Sequence, residues 1–262
     1  MKYISNYHTH CELCNHAKGN VEDYIKKAIE IGLKSIGMSD HAPFDFLNEH
    51  FYRVRMYEYE YPEYIKQIED AQEKYGHEIQ IYKGLEIEYF SEYKNRYKKL
   101  NEELDYLILG QHYLKCPDGL KSIYKLEGIE DFRIYRDTII DAMSTGYFKI
   151  MAHPEIFLYN HREMTKEEVD ICNEIIQAAI KYDVILEFNA NGFRRKDYEV
   201  VNGRWFRRYP REDFWKLVSK THAKVIMGAD AHQPSQLKDH AIDEAIKMMK
   251  DLSLVVEEEL VL

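Results

Sequence analysis

The chain has little of what would place it in a membrane, outside the cell or along a nucleic acid. It has no apolar run of the roughly eighteen residues that a membrane-spanning helix needs. Its opening, Met1-Lys2-Tyr3-Ile4-Ser5-Asn6, lacks the apolar core of a secretory signal. Cysteine is sparse: Cys11, Cys14, Cys116 and Cys172 are too scattered for the disulfide framework of a small secreted domain. Cys11-x-x-Cys14 has no second pair nearby and reads as two reduced thiols. Together these absences predict a cytoplasmic protein. Positive charge is also short. A formal net charge of −10 argues against a surface that clamps long nucleic acid. It leaves a small anionic substrate open, because a metal or a few arginines can override the global field locally. There is no Gly/Ser- or Pro-rich linker, no low-complexity stretch and no repeat, so residues 1–262 read as one domain. The oligomeric state is not legible.

What the chain does have is an alternation. Short apolar or β-branched runs fall at about Tyr3–Tyr7, Ser35–Met38, Ile79–Glu86, Tyr106–Gly110, Phe148–Ala152, Val184–Asn189 and Lys224–Gly228. Helix signals lie between them. Asn20 can cap a helix carrying Ile25, Ala28 and Ile29, and Pro62 suits a first turn before Ile65 and Ile68, with Gly76 ending it. Thr165 and Glu168 form a capping box before Ile171 and Ile175, and Pro210 opens a further helix through Phe214 and Leu217. Seven strands alternating with helices imply a parallel sheet, as a closed barrel or an open sheet.

Histidine is abundant, with twelve copies, and its placement follows the runs. The first run leads to His8, His10 and His16, and the second to Asp40-His41. The third ends in Gly84-Leu85-Glu86, the fourth in Gly110-Gln111-His112, the fifth in Ala152-His153-Pro154 and the seventh in Gly228-Ala229-Asp230-Ala231-His232. One His after a strand is ordinarily a loop or core residue. The same coincidence at six of seven strand ends is different, because the carboxyl ends of parallel strands converge where active sites are built. Residues two apart on a strand share a face, so His8 with His10, or Asp230 with His232, can serve one ion or two adjacent ones. His and carboxylate ligands suit zinc, manganese or iron, and nine candidates exceed one tetrahedral site. A multinuclear cluster is expected. His50, His77, His161, His222 and His240 lack this context and read as structural.

These motifs, from Tyr7-His8-Thr9-His10 through Asn15-His16-Ala17-Lys18-Gly19, Ser39-Asp40-His41-Ala42-Pro43 and Met151-Ala152-His153-Pro154 to Gly228-Ala229-Asp230-Ala231-His232, resemble the PHP (polymerase and histidinol phosphatase) family. Within it, Glu187-Phe188-Asn189-Ala190-Asn191-Gly192-Phe193-Arg194 is similar to the histidinol-phosphatase branch. The resemblance implies a distorted (β/α)7 barrel with the site at the carboxyl ends of the strands. It also implies two or three divalent transition-metal ions. His8, His10, Glu86 and Asp230 would hold one, Glu86 would bridge to a second held by His112 and His153, and His16, His41 and His232 would hold a third.

The activity implied is hydrolysis of a small-molecule phosphomonoester, first of all L-histidinol phosphate, by a metal-bridging hydroxide. Glu86 would be the bridging catalytic carboxylate. Asp40 would orient a ligand or donate the leaving group's proton, with orientation preferred. Arginine is the expected phosphate clamp. Arg162 follows His153, while Arg194, Arg195, Arg204, Arg207 and Arg208 crowd the loop after the sixth strand. Arg194 matches the family position and is placed first, Arg162 second. Glu12, Asp45 and Tyr113 are assigned to the ammonium and imidazole of histidinol. Two rival readings remain: the same scaffold acting on another phosphoester, and a metal-binding protein without activity. The tail from Leu254 to Leu262 is expected to cover the barrel or meet a partner.

Overall fold

The structure, a computed structural model, describes residues 2–196, 199–201 and 204–261, with side chains outside 197–206. Its strands are β1 (Ser5–Asn6), β2 (Ser35–Met38), β3 (Gln80–Ile87), β4 (Tyr106–Leu109), β5 (Tyr113–Cys116), β6 (Gly119–Ser122), β7 (Ile150–Met151), β8 (Ile185–Asn189), β9 (Glu199–Val201), β10 (Arg204–Phe206) and β11 (Val225–Gly228). Seven of them form one parallel sheet in the order β1-β2-β3-β4-β7-β8-β11. Beyond the strand ends, a parallel bridge joins Thr9 to Ala231, and the His10 N–H donates to the Ala231 carbonyl at 2.9 Å. First and last strands therefore meet, and the sheet closes into a distorted (β/α)7 barrel. β5–β6 and β9–β10 are antiparallel hairpins inserted after β4 and β8.

The helices are α1 (Val21–Glu30), α2 (Asp45–His50), α3 (Tyr61–Tyr75), α4 (Lys94–Glu103), α5 (Ile129–Ser144), α6 (Lys166–Tyr182), α7 (Glu212–Val218) and α8 (His240–Asp251). Asn20 with Asp23, and Thr165 with Glu168, make reciprocal capping boxes that start α1 and α6. Gly76 ends α3 in a right-handed conformation. Pro210 does not open α7. Arg211 keeps an extended backbone (φ −90°, ψ 122°) and its N–H donates to Glu155 at 3.1 Å, so the helix begins at Glu212.

Two apolar cores follow from the pleat. Tyr7, Tyr106, Ile108, Ile150, Ala152, Ile185 and Ile226 face the barrel interior, while the larger core lies between sheet and helices. The tail covers the barrel. Val256 bridges Val225, the Leu260 N–H donates to the Tyr7 hydroxyl at 2.9 Å, and buried Leu260 joins the interior cluster. No helix among the described residues is long and apolar enough to cross a membrane.

Candidate metal centre

Each barrel strand delivers polar side chains to the opposite mouth. His8 and His10 follow β1, Asp40 and His41 follow β2, and Glu86 ends β3 with Glu88 just beyond. His112 follows β4, His153 follows β7, Glu187 and Asn189 end β8, and Asp230 and His232 follow β11. His153 (φ 33°) and Asp230 (φ 45°) occupy the left-handed region, a conformation that costs energy for residues with a Cβ and turns their side chains inward. Gly110 and Gly228 are glycine for a different reason. A Cβ on Gly110 would collide with the Glu86 carboxylate, and one on Gly228 with that of Glu187.

Glu86 lies at the centre. Its Oε2 is 3.3 Å from His8 Nε2, 3.6 Å from His10 Nε2 and 3.0 Å from His41 Nδ1. Its Oε1 is 3.2 Å from His153 Nε2 and 3.5 Å from His112 Nε2. Asp230 Oδ1 lies 3.2 Å from His10 Nε2, 3.8 Å from His8 Nε2 and 3.4 Å from His232 Nδ1. His16 Nε2 and His232 Nε2 face each other at 2.9 Å. The structure thus brings His8, His10, His16, His41, Glu86, His112, His153, Asp230 and His232 to one mouth.

A second ring of side chains aims the first. Glu187 accepts from His8 Nδ1 (2.6 Å), Asp40 from His10 Nδ1 (3.3 Å) and Glu88 from His112 Nδ1 (3.2 Å). Such partners fix the tautomer, leaving Nε2 as a lone pair toward the centre. Asn189 and Asn191 donate to Asp230 Oδ2 at 3.1 and 3.2 Å, and buried Arg55 holds Glu88 in a two-pronged pair at 2.8 Å. Sequence reasoning missed the roles of Glu88, Glu187, Asn189 and Arg55. A signal existed for the first three, because Glu86-x-Glu88 and Glu187-x-Asn189 repeat the two-residue spacing used for His8 and His10.

The donors fit cations. His8 Nε2, His10 Nε2, His41 Nδ1 and His153 Nδ1 are buried without a hydrogen-bond partner, which is costly unless something else occupies the lone pair. Three sets lie within ion-binding reach: His8/His10/Asp230, His10/His41/His232 and His41/Glu86/His112. A fourth, His10/Cys14/Asp40, involves contacts already used inside the protein, since Cys11 Sγ donates to Asp40 and Cys14 Sγ to the Cys11 carbonyl. All four cysteines are free and buried. Electrostatics agree. Burial alone would raise the Glu86 carboxyl, yet His112, His8 and His41 hold it well below its ordinary range. Burial likewise opposes charge on His8, but Glu187, Glu86 and Asp230 together push it well above the usual imidazole value.

Some of the other candidate residues lie where expected and some do not. Asp40 is fully buried, and its oxygens accept from His10, the His41 N–H (2.8 Å) and the N–H and thiol of Cys11. Its carboxylate meets His10 and does not line the cleft, as the preferred orienting reading requires. Arg194 is not at the site. Its guanidinium is committed to Asp239 (2.8 Å), the Ala229 carbonyl (2.6 Å) and the Gln236 carbonyl (2.7 Å), tying the β11 loop to α8. Arg162 does not line the cleft either. Arg195 does, packed over the rings of Tyr159 (5.3 Å) and Tyr124 (5.8 Å). Arg194 ends the turn Ala190–Phe193 and Arg195 lies just beyond it, so one residue separates a strut from a cleft residue. Arg208 donates to the Tyr159 carbonyl, Arg207 covers Phe193, and the side chain of Arg204 lies outside the described residues. Glu12 lines a separate depression near α1, and Asp45 accepts from the Glu58 N–H; Tyr113 does line the cleft. His161 pairs with Glu168 at 2.6 Å away from the centre.

The cleft above the cluster has a volume of about 400 Å³ and is walled by Val54, Tyr113, Tyr124, Tyr209 and Arg195. It has the size of a small-molecule site.

Comparison with known proteins agrees with this geometry. A family profile described as the PHP domain matches residues 6–191. The chain is 24% identical over 265 residues to a protein of Deinococcus radiodurans named probable histidinol-phosphatase, covering 96% of this chain and 95% of the relative. A probable histidinol-phosphatase of Schizosaccharomyces pombe is 26% identical, with 89% and 82% covered. Other relatives of similar identity are named only as probable phosphatases. Among solved structures, the fold is similar to that of histidinol phosphate phosphatase from Lactococcus lactis, complexed with zinc, L-histidinol and phosphate. The TM-score is 0.72 at 18% identity, over 97% of this chain and 95% of that one.

Proposed function

The chain belongs to the PHP domain family, and on that premise we propose that it is a metal-dependent phosphomonoesterase whose substrate is L-histidinol phosphate. The observation that carries the reading is the convergence of buried, unpartnered His8 Nε2 and His10 Nε2 on the Glu86 and Asp230 carboxylates. That donor set suits zinc, manganese or iron, and the overlapping sets around Glu86 suit more than one ion. Bound there, such ions supply charge neutralisation at the phosphoryl group and water of lowered pKa.

The chain's own residues do the rest. Glu86 stands between two groups of donors, while Glu187, Asp40 and Glu88 hold three imidazoles in one tautomer. Arg195, which lines the cleft, would meet the phosphoryl oxygens, where its planar fork adds orientation to charge. The tyrosine wall takes up the organic part of the ester and keeps bulk water away.

Phosphate release by metal-reconstituted protein on histidinol phosphate and a panel of other phosphomonoesters tests this. The expected result is the highest kcat/KM for histidinol phosphate. A different best substrate supports the second reading, which the relatives named only as phosphatases favour. No turnover of any phosphoester would overturn both.

A further inference from the structure

Hydrolysis of an alkyl phosphate leaves a departing oxygen that needs a proton or a metal contact, and buried Asp40 does not supply the proton. In-line displacement places that oxygen opposite the attacking water. Attack from the ligand-lined floor therefore turns the leaving oxygen toward the cleft wall. Among the described lining residues other than the candidate ligands, the ionisable groups there that carry a proton are Arg55, Arg195 and the phenols of Tyr113, Tyr124 and Tyr209. A guanidinium does not give up its proton at working pH. Tyr113 is stacked on Phe51 at 4.2 Å, and the charges that reach it are those of Arg55 and Glu88. The Tyr209 hydroxyl has the Arg195 guanidinium beside it.

Tyr124 differs from both. It sits on the turn Ile123–Lys125, which is pinned to the ligand loop by the Ile123 N–H donating to the His112 carbonyl at 2.9 Å. Its own carbonyl accepts from Asn160 Nδ2 at 2.8 Å, and its ring packs edge-on against Tyr159 at 4.9 Å beneath Arg195. The backbone around Tyr124 is thus pinned at two points and its ring is packed on Tyr159, while among the described residues its hydroxyl makes no hydrogen bond. Tyr124 is 38% exposed as a whole, yet desolvation within the cleft, with Asp230 and Glu86 nearby, pushes the phenol up despite Arg195, so it stays protonated at neutral pH.

We propose that the Tyr124 hydroxyl donates the proton that the leaving alcohol takes, an inference that rests on the phosphomonoesterase reading. The balance is simple. A water oxygen forms the new P–O bond and sheds its proton to solvent. The ester P–O bond breaks with its electron pair on the alcohol oxygen, which receives the Tyr124 proton. The phenolate is then reprotonated by water entering the cleft.

The test compares leaving groups. Tyr124→Phe keeps the ring and its packing. On an alkyl phosphomonoester that the wild-type holoenzyme hydrolyses, kcat should fall by about 10²-fold or more. On p-nitrophenyl phosphate, whose leaving phenolate needs no proton, the loss should be far smaller, with metal content unchanged. Equal losses on both esters, no loss on the alkyl ester, or a fall in metal content would overturn the assignment. A wild-type enzyme that hydrolyses neither ester would instead sink the phosphatase reading beneath it.

Discussion

The two mouths of the barrel use burial in opposite ways. At the amino-terminal mouth, Tyr7, Ile226 and Leu260 pack into a closed apolar plug, and the buried hydroxyls there are satisfied: that of Tyr7 by Ser35 and the Leu260 N–H, and that of Ser5 by the Glu258 carbonyl. At the carboxyl-terminal mouth, four imidazole nitrogens are buried unpartnered, two of the converging residues sit at positive φ, and Glu86 is crowded by five histidines. Apolar packing is stable without further partners. A converging set of lone pairs and carboxylates is stable only when cations or protons fill it. The closed mouth therefore holds the fold together, and the open mouth is the part organised for chemistry.

Changes at the open mouth should cost activity and leave the fold intact. The largest effect is expected for Glu86→Ala, which removes the carboxylate shared by five imidazoles. Turnover should fall by roughly 10³-fold or more while circular dichroism is unchanged; full turnover would erase the distinction between the mouths. Glu187→Gln comes next. It keeps the shape but weakens the hold on His8, and metal affinity measured by competition with a chelator should drop about 10- to 100-fold. The arginine pair sharpens the correction made above. Arg195→Ala should raise KM for phosphomonoesters about tenfold with a smaller change in kcat, as expected for a group that holds ground and transition states alike. Arg194→Ala should leave KM alone and lower the unfolding midpoint, because its bonds join the β11 loop to α8. At the closed mouth, Leu260→Ala should lower stability by about 2 kcal/mol in urea titration without altering kcat. A kcat effect as large as that of Glu187→Gln would show that the two mouths are coupled.

The barrel was legible because each strand is an apolar run, and a His, Asp or Glu next to such a run inherits its topological position. Six separate motifs could therefore be placed at one mouth before any coordinate was known. The strand ends were less legible. Tyr3–Tyr7 reads as five residues yet β1 has two, because side-chain and bridge contacts replace the ladder; the Ala229 N–H, for one, donates to Asn6 Oδ1. The supporting ring was largely hidden. Arg55 reaches Glu88 from a loop 33 residues away, a contact that no local spacing encodes. The arginine that lines the cleft is Arg195, one residue beyond Arg194, and no local spacing shows which of two neighbouring side chains enters the cleft. The tail's docking was open for a similar reason: one leucine fits a barrel end or a partner equally well until its N–H finds Tyr7.

The number of cations that the open mouth binds is its most telling property. Metal-free protein titrated with zinc, with bound metal counted by elemental analysis, should take up more than one ion per chain, and Glu86→Ala should take up fewer. Uptake of one ion or none by the wild-type chain, or an unchanged count in the variant, would contradict it.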